Sequence, residues 1–388
     1  MMSNPTFEFA TAERIIFGPG VVGRAGELAA GLGERCCVVT GGTPERAAPL
    51  IKELDRAGLS HITLPVRGEP TTDTVVALAA TARKEKCDLV IGIGGGSVID
   101  AGKVISALLT NTGDLADYLE VIGAGKMIER APAPYIAIPT TAGTGAEVTK
   151  NGVLLSPGHR VKVSMRSPLM IPRVALVDPL LTIPVPPAVT AATGLDALTQ
   201  LIEPYVSRKA NPLTDALCRE GLRRGARALP RVYRDGEDRE GRIEMALASL
   251  FGGLALANAG LGAAHAFAGP LGGMFQAPHG VICARLLPFV IEANIRALQE
   301  RDPSSPAIAR YREIAVIITG NRSATEADGA AWVRKLCREL EIPPLSRLGI
   351  ERDDIPSVVE KAKKSSSMKG NPVELSDEEL TEILQRAL

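Results

Sequence analysis

The stretch Leu89-Val-Ile-Gly-Ile-Gly94-Gly-Gly-Ser97-Val-Ile-Asp100-Ala-Gly-Lys103 decides how the N-terminal half reads. Leu89 to Ile93 is a short apolar run of strand type, Gly94 to Gly96 interrupt it, and a helical pattern follows from Val98 to Leu109. Ser97 and Asp100 have capping-box spacing. The Ser97 hydroxyl is expected to accept from the amide three residues on, and Asp100 to reach back to the Ser97 amide. Glycines ahead of a helix start let backbone amides approach a diphosphate, and the positive end of the helix dipole favours the anion. A lone Gly-rich turn serves a tight turn equally well. The fuller pattern Gly-Gly-Gly-Ser-x-x-Asp-x-x-Lys behind a strand is more specific, and it names Gly95, Gly96, Ser97 and Asp100 as candidate cofactor residues.

Outward from this unit, strand and helix patterns alternate. Strands are expected at Cys36 to Thr40, His61 to Val66, Leu89 to Ile93, Tyr135 to Ile138 and Val174 to Val177. Helices are expected at Pro44 to Ala57, Thr72 to Glu85 and Val98 to Leu109. Such alternation implies βαβ units and a mostly parallel sheet, which binds ligands beyond the carboxyl ends of its strands. Residues 8 to 17 read as a strand or short hairpin ended by Gly18-Pro19-Gly20. A second turn, Pro139-Thr140-Thr141-Ala142-Gly143-Thr144-Gly145, follows the Tyr135 strand and offers Thr140, Thr141 and Thr144 as hydroxyl donors, although it also reads as a self-satisfied turn.

Four prolines crowd between Pro179 and Pro187, and beyond them helical periodicity dominates, as at Asp215 to Ala228, Gly241 to Ala257, Ala327 to Leu340 and Asp377 to Leu388. Pro303 to Pro306 reads as a loop. The expected organisation is an α/β dinucleotide-binding domain over 1–180 and an all-helical metal and substrate domain over 181–388. From Met245 to Ala284 no Asp, Glu, Lys or Arg occurs, yet His265 and His279 lie there, two of four histidines in the chain. A buried imidazole left unpaired costs about 1–3 kcal/mol, so each is either hydrogen-bonded in the core or held by a stronger partner such as a metal. Upstream, an apolar helical pattern carries Asp196 and Gln200 four residues apart, on one face. Phe267, Met274 and Phe275 read either as pocket lining or as core.

Composition narrows the partners. Lys+Arg and Asp+Glu are equal at 44 each, and aromatic residues are 3%. This balance argues against nucleic acid and against an anionic membrane surface. The uncharged segment is long enough to span a membrane, but glycines, Asn258, His265 and Pro270 interrupt it and no basic cluster flanks it. Six cysteines without Cys-x-x-Cys spacing read as reduced, cytoplasmic thiols, and the first residues show no signal peptide pattern.

The segments Val177 to Glu203 and His265 to Gly280 resemble the two signatures of the iron-containing (group III) alcohol dehydrogenases. The resemblance covers nearly the whole chain and implies a Rossmann-like parallel sheet followed by an all-α domain, of dehydroquinate synthase-like architecture. It implies an NAD(P)-dependent oxidoreductase that interconverts a small alcohol and its aldehyde or ketone at a divalent metal, Fe or Zn, with a homodimer joined through N-terminal strands. Carried over, the metal ligands are Asp196, position 200, His265 and His279, with Asp196, His265 and His279 also catalytic. Position 200 is Gln200 where the family has His. Gly269 stands where the family has a histidine near the nicotinamide. The same resemblance makes the glycine turn, Thr140, Thr141 and Thr144 walls of the cofactor site and adds Asn151 and Lys162. Where NAD-preferring members carry an Asp, this chain has Gly41. Without that carboxylate a 2′-phosphate is not repelled, and Thr43 and Arg46 can serve it, so NADP is expected over NAD. Loss of a ligand histidine also keeps open a metal-independent reductase of the maleylacetate reductase type, a synthase related through the nucleotide-binding half, or a cofactor-binding protein without catalysis.

Overall fold

The computed structural model describes residues 6–388. The chain divides into two compact units, one formed by residues 11–141 and 145–184 and the other by residues 6–10, 142–144 and 185–388.

The first unit is α/β. In order it contains β1 (Arg14–Phe17), α1 (Ala25–Ala30), β2 (Arg35–Thr40), α2 (Ala48–Arg56), β3 (Ser60–Pro65), α3 (Thr72–Lys84), β4 (Leu89–Gly94), α4 (Gly96–Thr110), α5 (Leu115–Tyr118), β5 (Tyr135–Pro139), β6 (Asn151–Ser156), β7 (Val161–Arg166) and β8 (Val174–Val177). Six strands form a sheet of order β1-β8-β5-β4-β2-β3, with every pairing parallel. Alternate residues of the central strands enter opposite cores, because successive side chains of a strand point to opposite faces. Cys37, Val39, Val90 and Tyr135 pack with α3 and α4, whereas Cys36, Val38, Ile91 and Ile136 pack with α1 and α2. Gly92 and Gly102 make the slot for the Tyr135 ring, since a Cβ on either would lie 2.2 and 2.5 Å from its hydroxyl, which donates to the Ile99 carbonyl.

The five strands expected from Cys36 to Val177 all form, as β2, β3, β4, β5 and β8. From β2 the chain moves outward to β3 and then returns to the other side of β2 as β4, so the carboxyl ends of β2 and β4 flank a topological switch point. Of the strand or short hairpin expected over residues 8–17, the strand forms, shorter than expected at Arg14–Phe17 and paired in parallel with β8. Its partner is supplied by chain 160 residues away, a contact with no local signal. The β6–β7 antiparallel pair was not anticipated.

The second unit is helical: α6 (Pro187–Val206), α7 (Pro212–Arg234), α8 (Arg239–Ala259), α9 (Ala263–Phe275), α10 (His279–Arg301), α11 (Pro306–Thr319), α12 (Glu326–Glu339), α13 (Ile355–Lys363) and α14 (Asp377–Ala387). Pro306, expected in a loop, opens α11, where its missing N–H costs nothing. Helix α6 is buried on almost every face, as its largely apolar and small sequence from Thr190 to Val206, interrupted by Asp196, Gln200 and Glu203, requires. Among the described residues no single helix is long and apolar enough to cross a membrane; α8 and α9 together pass by composition but meet at a bend of 98°, and most of their residues are buried in the helical core.

Candidate metal and cofactor site

Helix α6 presents Asp196, Gln200 and Glu203 at intervals of four and three residues, all buried. Helix α9 begins at Gly262, which has no capping side chain of its own, and distant groups satisfy its first amides instead. The Glu203 carboxylate accepts from Gly262 N (2.9 Å) and Ala264 N (2.7 Å), and Asn371 Oδ1 accepts from Ala263 N (3.2 Å). Gly262 is required here, because a Cβ would lie 2.9 Å from Glu203 Oε1. A carboxylate at a helix N-terminus is further favoured by the macrodipole.

The same carboxylate orients the His265 ring. Glu203 Oε2 also accepts from His265 Nδ1 at 2.6 Å, which holds a proton on Nδ1 and turns Nε2 toward Asp196, 3.5 Å from Oδ1. His279 is the first residue of α10, and Cys283 lies one turn later on the same face. Gly280 lets α10 press against α6, since a Cβ there would meet the Ala192 carbonyl oxygen at 2.5 Å. The close approach brings His279 Nε2 to 3.7 Å from Asp196 Oδ1 and Cys283 Sγ to 3.7 Å from His279 Nε2. Donor atoms of Asp196, His265, His279 and Cys283 all lie within 4.8 Å of one another.

Three of the buried polar atoms in this cluster, Asp196 Oδ1, His265 Nε2 and Gln200 Oε1, have no hydrogen-bond partner. Such groups cost stability unless something satisfies them. Burial works to raise the Asp196 pKa, but His279, His265 and Cys283 outweigh it and hold the carboxyl below its usual range. For His265, burial opposes the charged ring, yet Cys283, Glu203 and Asp196 together raise its pKa well above the ordinary value. The surroundings therefore favour positive charge at the centre of the cluster. The donor set and its orphaned atoms fit a divalent metal.

Of the expected ligands, the structure brings Asp196, His265 and His279 together. Gln200 is beside them, with its amide nitrogen donating to Asp196 Oδ2 at 2.9 Å. Reversing the amide would set its oxygen against the carboxylate, so the donor end faces Asp196. The roles of Glu203, Cys283 and Asn371 were missed. The signals for the first two were their offsets, seven residues after Asp196 and four after His279; Asn371, more than a hundred residues away, carried none. Phe267 is fully buried core, and Met274 and Phe275 pack partly buried against the same cluster.

In the α/β unit Gly41, the glycine turn and Thr140 follow the carboxyl ends of the neighbouring strands β2, β4 and β5. Thr40 pairs with Ile93, which sets Gly41 beside the glycine turn. The Thr140 amide donates to the Gly94 carbonyl, and a Cβ on Gly95 would touch Thr141 at 3.5 Å. The expected Ser97 cap is not formed: α4 starts at Gly96 with extended Gly95 as its N-cap and no side-chain bond. The helix begins earlier than a Ser97 cap requires, which puts Ser97 in the first turn. Asp100 turns inward instead, accepting from Lys103 Nζ (3.3 Å) and Val153 N (3.2 Å), and buried Lys103 also donates to Thr149 and to the Asn151 carbonyl. Lys162 Nζ pairs with Glu69 at 3.1 Å. Thr144 belongs to the helical unit. No side chain fills the space at Gly41, whose Cβ would find only Val98 at 3.9 Å, and a Cβ on Gly269 would meet nothing within 4 Å.

Comparison with known proteins agrees with this geometry. Residues 12–179 match the family model described as iron-containing alcohol dehydrogenase, and residues 190–388 match that of the Fe-containing alcohol dehydrogenase family, C-terminal. The 1,3-propanediol dehydrogenase of Klebsiella pneumoniae is 34% identical over 403 residues, covering 100% of both chains. A choline dehydrogenase of Bacillus subtilis (strain 168) is 33% identical, covering 98% of this chain and 94% of its own length. Among solved structures, a 1,3-propanediol oxidoreductase superposes with a TM-score of 0.91 at 34% identity, covering 99% of this chain and 100% of the other. The chain belongs to the iron-containing alcohol dehydrogenase family.

Proposed function

We propose that the protein is an alcohol oxidoreductase that passes hydride between NADP, or NAD, and a small alcohol or its aldehyde or ketone, with a divalent metal, Fe or Zn, held by Asp196, His265 and His279. The observation that carries this reading is the convergence of Asp196 Oδ1 and His265 Nε2, buried without a hydrogen bond, on one point beside His279. When bound, the metal supplies Lewis acidity to the substrate oxygen. Glu203 keeps His265 in the tautomer that offers Nε2, and Gln200 holds the second oxygen of Asp196.

The free amides that begin α4, together with Thr140, Thr141 and Thr144, serve the cofactor, with Asn151 and Lys162 further along. Gly41 admits a 2′-phosphate. Besides Thr43 and Arg46, Arg67 stands near, its Cγ 3.6 Å from where a Gly42 Cβ would be. At Gly269 the chain provides no imidazole to move a proton, so that proton passes through water or a cofactor hydroxyl. The named relatives are dehydrogenases and do not favour a metal-free reductase or a protein without catalysis. Strand β1, at one end of the sheet, has a single strand neighbour, and a second copy meeting it there would form the homodimer. The test is aldehyde reduction with NADPH and NADH by metal-loaded and chelator-treated protein. Turnover only in the loaded form supports the reading, and equal turnover in both opposes it.

A further inference from the structure

We propose that Cys283 is a direct metal donor in this chain, its thiolate taking the place that Gln200 leaves, so that the site is Asp196, His265, His279 and Cys283 and selects a borderline-soft divalent ion such as Zn²⁺ over hard ions such as Mg²⁺ or Mn²⁺. The inference rests on the metal reading above and goes further in naming the fourth donor and the class of ion.

Distances between the donors carry the argument. Around a tetrahedrally held divalent ion, two N or O donors stand about 3.4 Å apart and an N–S pair about 3.6 Å, whereas adjacent donors of an octahedral ion stand about 3.0 Å apart. The separations are 3.5 Å for His265 Nε2 to Asp196 Oδ1, 3.7 Å for His279 Nε2 to Asp196 Oδ1, and 3.7 Å for Cys283 Sγ to His279 Nε2. All three are closer to the tetrahedral spacing than to the octahedral one, and the sulfur lies within 4.8 Å of every other donor. Two of these same donors, Asp196 Oδ1 and His265 Nε2, are buried without a hydrogen bond, as is Gln200 Oε1.

Gln200 is the competing fourth donor. Its amide nitrogen is committed to Asp196, and its oxygen is neutral and hard, a weak ligand beside a thiolate. Asp196 and Cys283 together supply two negative charges, which neutralise a divalent ion, while Glu203 remains paired with His265. On coordination the Cys283 thiol proton leaves to solvent, and no redox change is involved. Sequence explains the coincidence: Cys283 lies one helical turn after His279, so whatever seats His279 also seats the sulfur.

The experiment titrates metal-free full-length protein with Co²⁺ and reads both visible d–d absorption and the near-ultraviolet thiolate-to-cobalt charge-transfer band, with Zn²⁺ affinity taken from chelator competition. Unmodified protein is expected to show both signals. Cys283→Ser and Cys283→Ala should keep the d–d absorption, lose the charge-transfer band and bind Zn²⁺ at least ~10–100-fold more weakly, the loss typical of disturbing even outer-shell groups. Gln200→Leu should retain the band. The other five cysteines stay in every variant as internal controls, and circular dichroism checks the fold. A d–d spectrum without the thiolate band in the unmodified protein overturns the role of Cys283 and leaves the metal reading standing, as does a band that survives in both Cys283 variants. Absence of any Co²⁺ or Zn²⁺ binding overturns both.

Discussion

Replacing Glu203 by Gln isolates what the carboxylate does, because the two side chains have nearly the same shape. Glu203 Oε2 serves His265 Nδ1 and Gly262 N, and Oε1 serves Ala264 N. In the variant the remaining oxygen can keep the first pair, which turns the new amide nitrogen toward the Ala264 N–H. One charge-assisted bond, worth about 1.5–3 kcal/mol, is lost and two buried donors confront each other, at about 1–3 kcal/mol. A destabilisation of about 3–5 kcal/mol follows, the range seen when one partner of a buried pair is removed. The same change weakens the hydrogen bond that makes His265 a good ligand, so metal affinity should fall ~10–100-fold. Urea unfolding of the metal-free protein reads the first effect and chelator competition the second. A variant that matches the parent in both would refute the claim that Glu203 both caps α9 and orients His265.

Gly41→Asp should shift preference from NADPH toward NADH, since the new side chain has room and would repel a 2′-phosphate; steady-state kinetics showing NADH preference in the unmodified protein would contradict the premise. Gly269→His enters open space and restores an imidazole, whose general acid–base contribution is typically ~10²–10⁴-fold, so the pH–rate profile should change; an unchanged profile and rate place residue 269 away from the chemistry. Burial raises the Glu147 carboxyl from 4.5 to about 7 despite Lys103. The folded protein then holds this proton more tightly than the unfolded chain, so the group's contribution is fully present below 4.5 and is lost as pH rises through about 7, at most about 3 kcal/mol. Glu147→Gln should therefore stabilise the protein above neutral pH relative to the parent and do so far less in acid; urea midpoints that differ equally at both pH values would count against it.

How much was legible depends on whether the determining contacts are local. Strands β2, β3, β4, β5 and β8 and the helix after Gly94–Gly96 follow from short apolar runs and glycines, and they appear where the spacing puts them. The hairpin of β6 and β7 had a signal, the alternation Val161-Lys-Val-Ser-Met-Arg beside a Pro157-Gly158 turn, that a search for parallel-sheet strands passes over. Ser97 shows the limit of local rules, because Asp100 could bond locally but instead satisfies buried Lys103 and the Val153 amide. In the cluster around Asp196, the residues Asp196, His265 and His279 stood out as polar groups in apolar surroundings. Glu203 and Asn371 did not, since their partners are the first amides of α9, at least 59 residues away. Cys283 reads in the sequence as one more reduced thiol, and only the course of α10 carries it beside His279.

The central claim is that hydride transfer in this protein depends on a metal held by the cluster around Asp196. Elemental analysis of protein purified without chelator, paired with NADPH-linked aldehyde reduction before and after chelation and reloading, tests it most directly. The account predicts bound divalent metal, loss of turnover on its removal and recovery on its return. Full activity in protein that holds no metal under any loading condition would contradict it, and would make His265 and His279 substrate-binding groups.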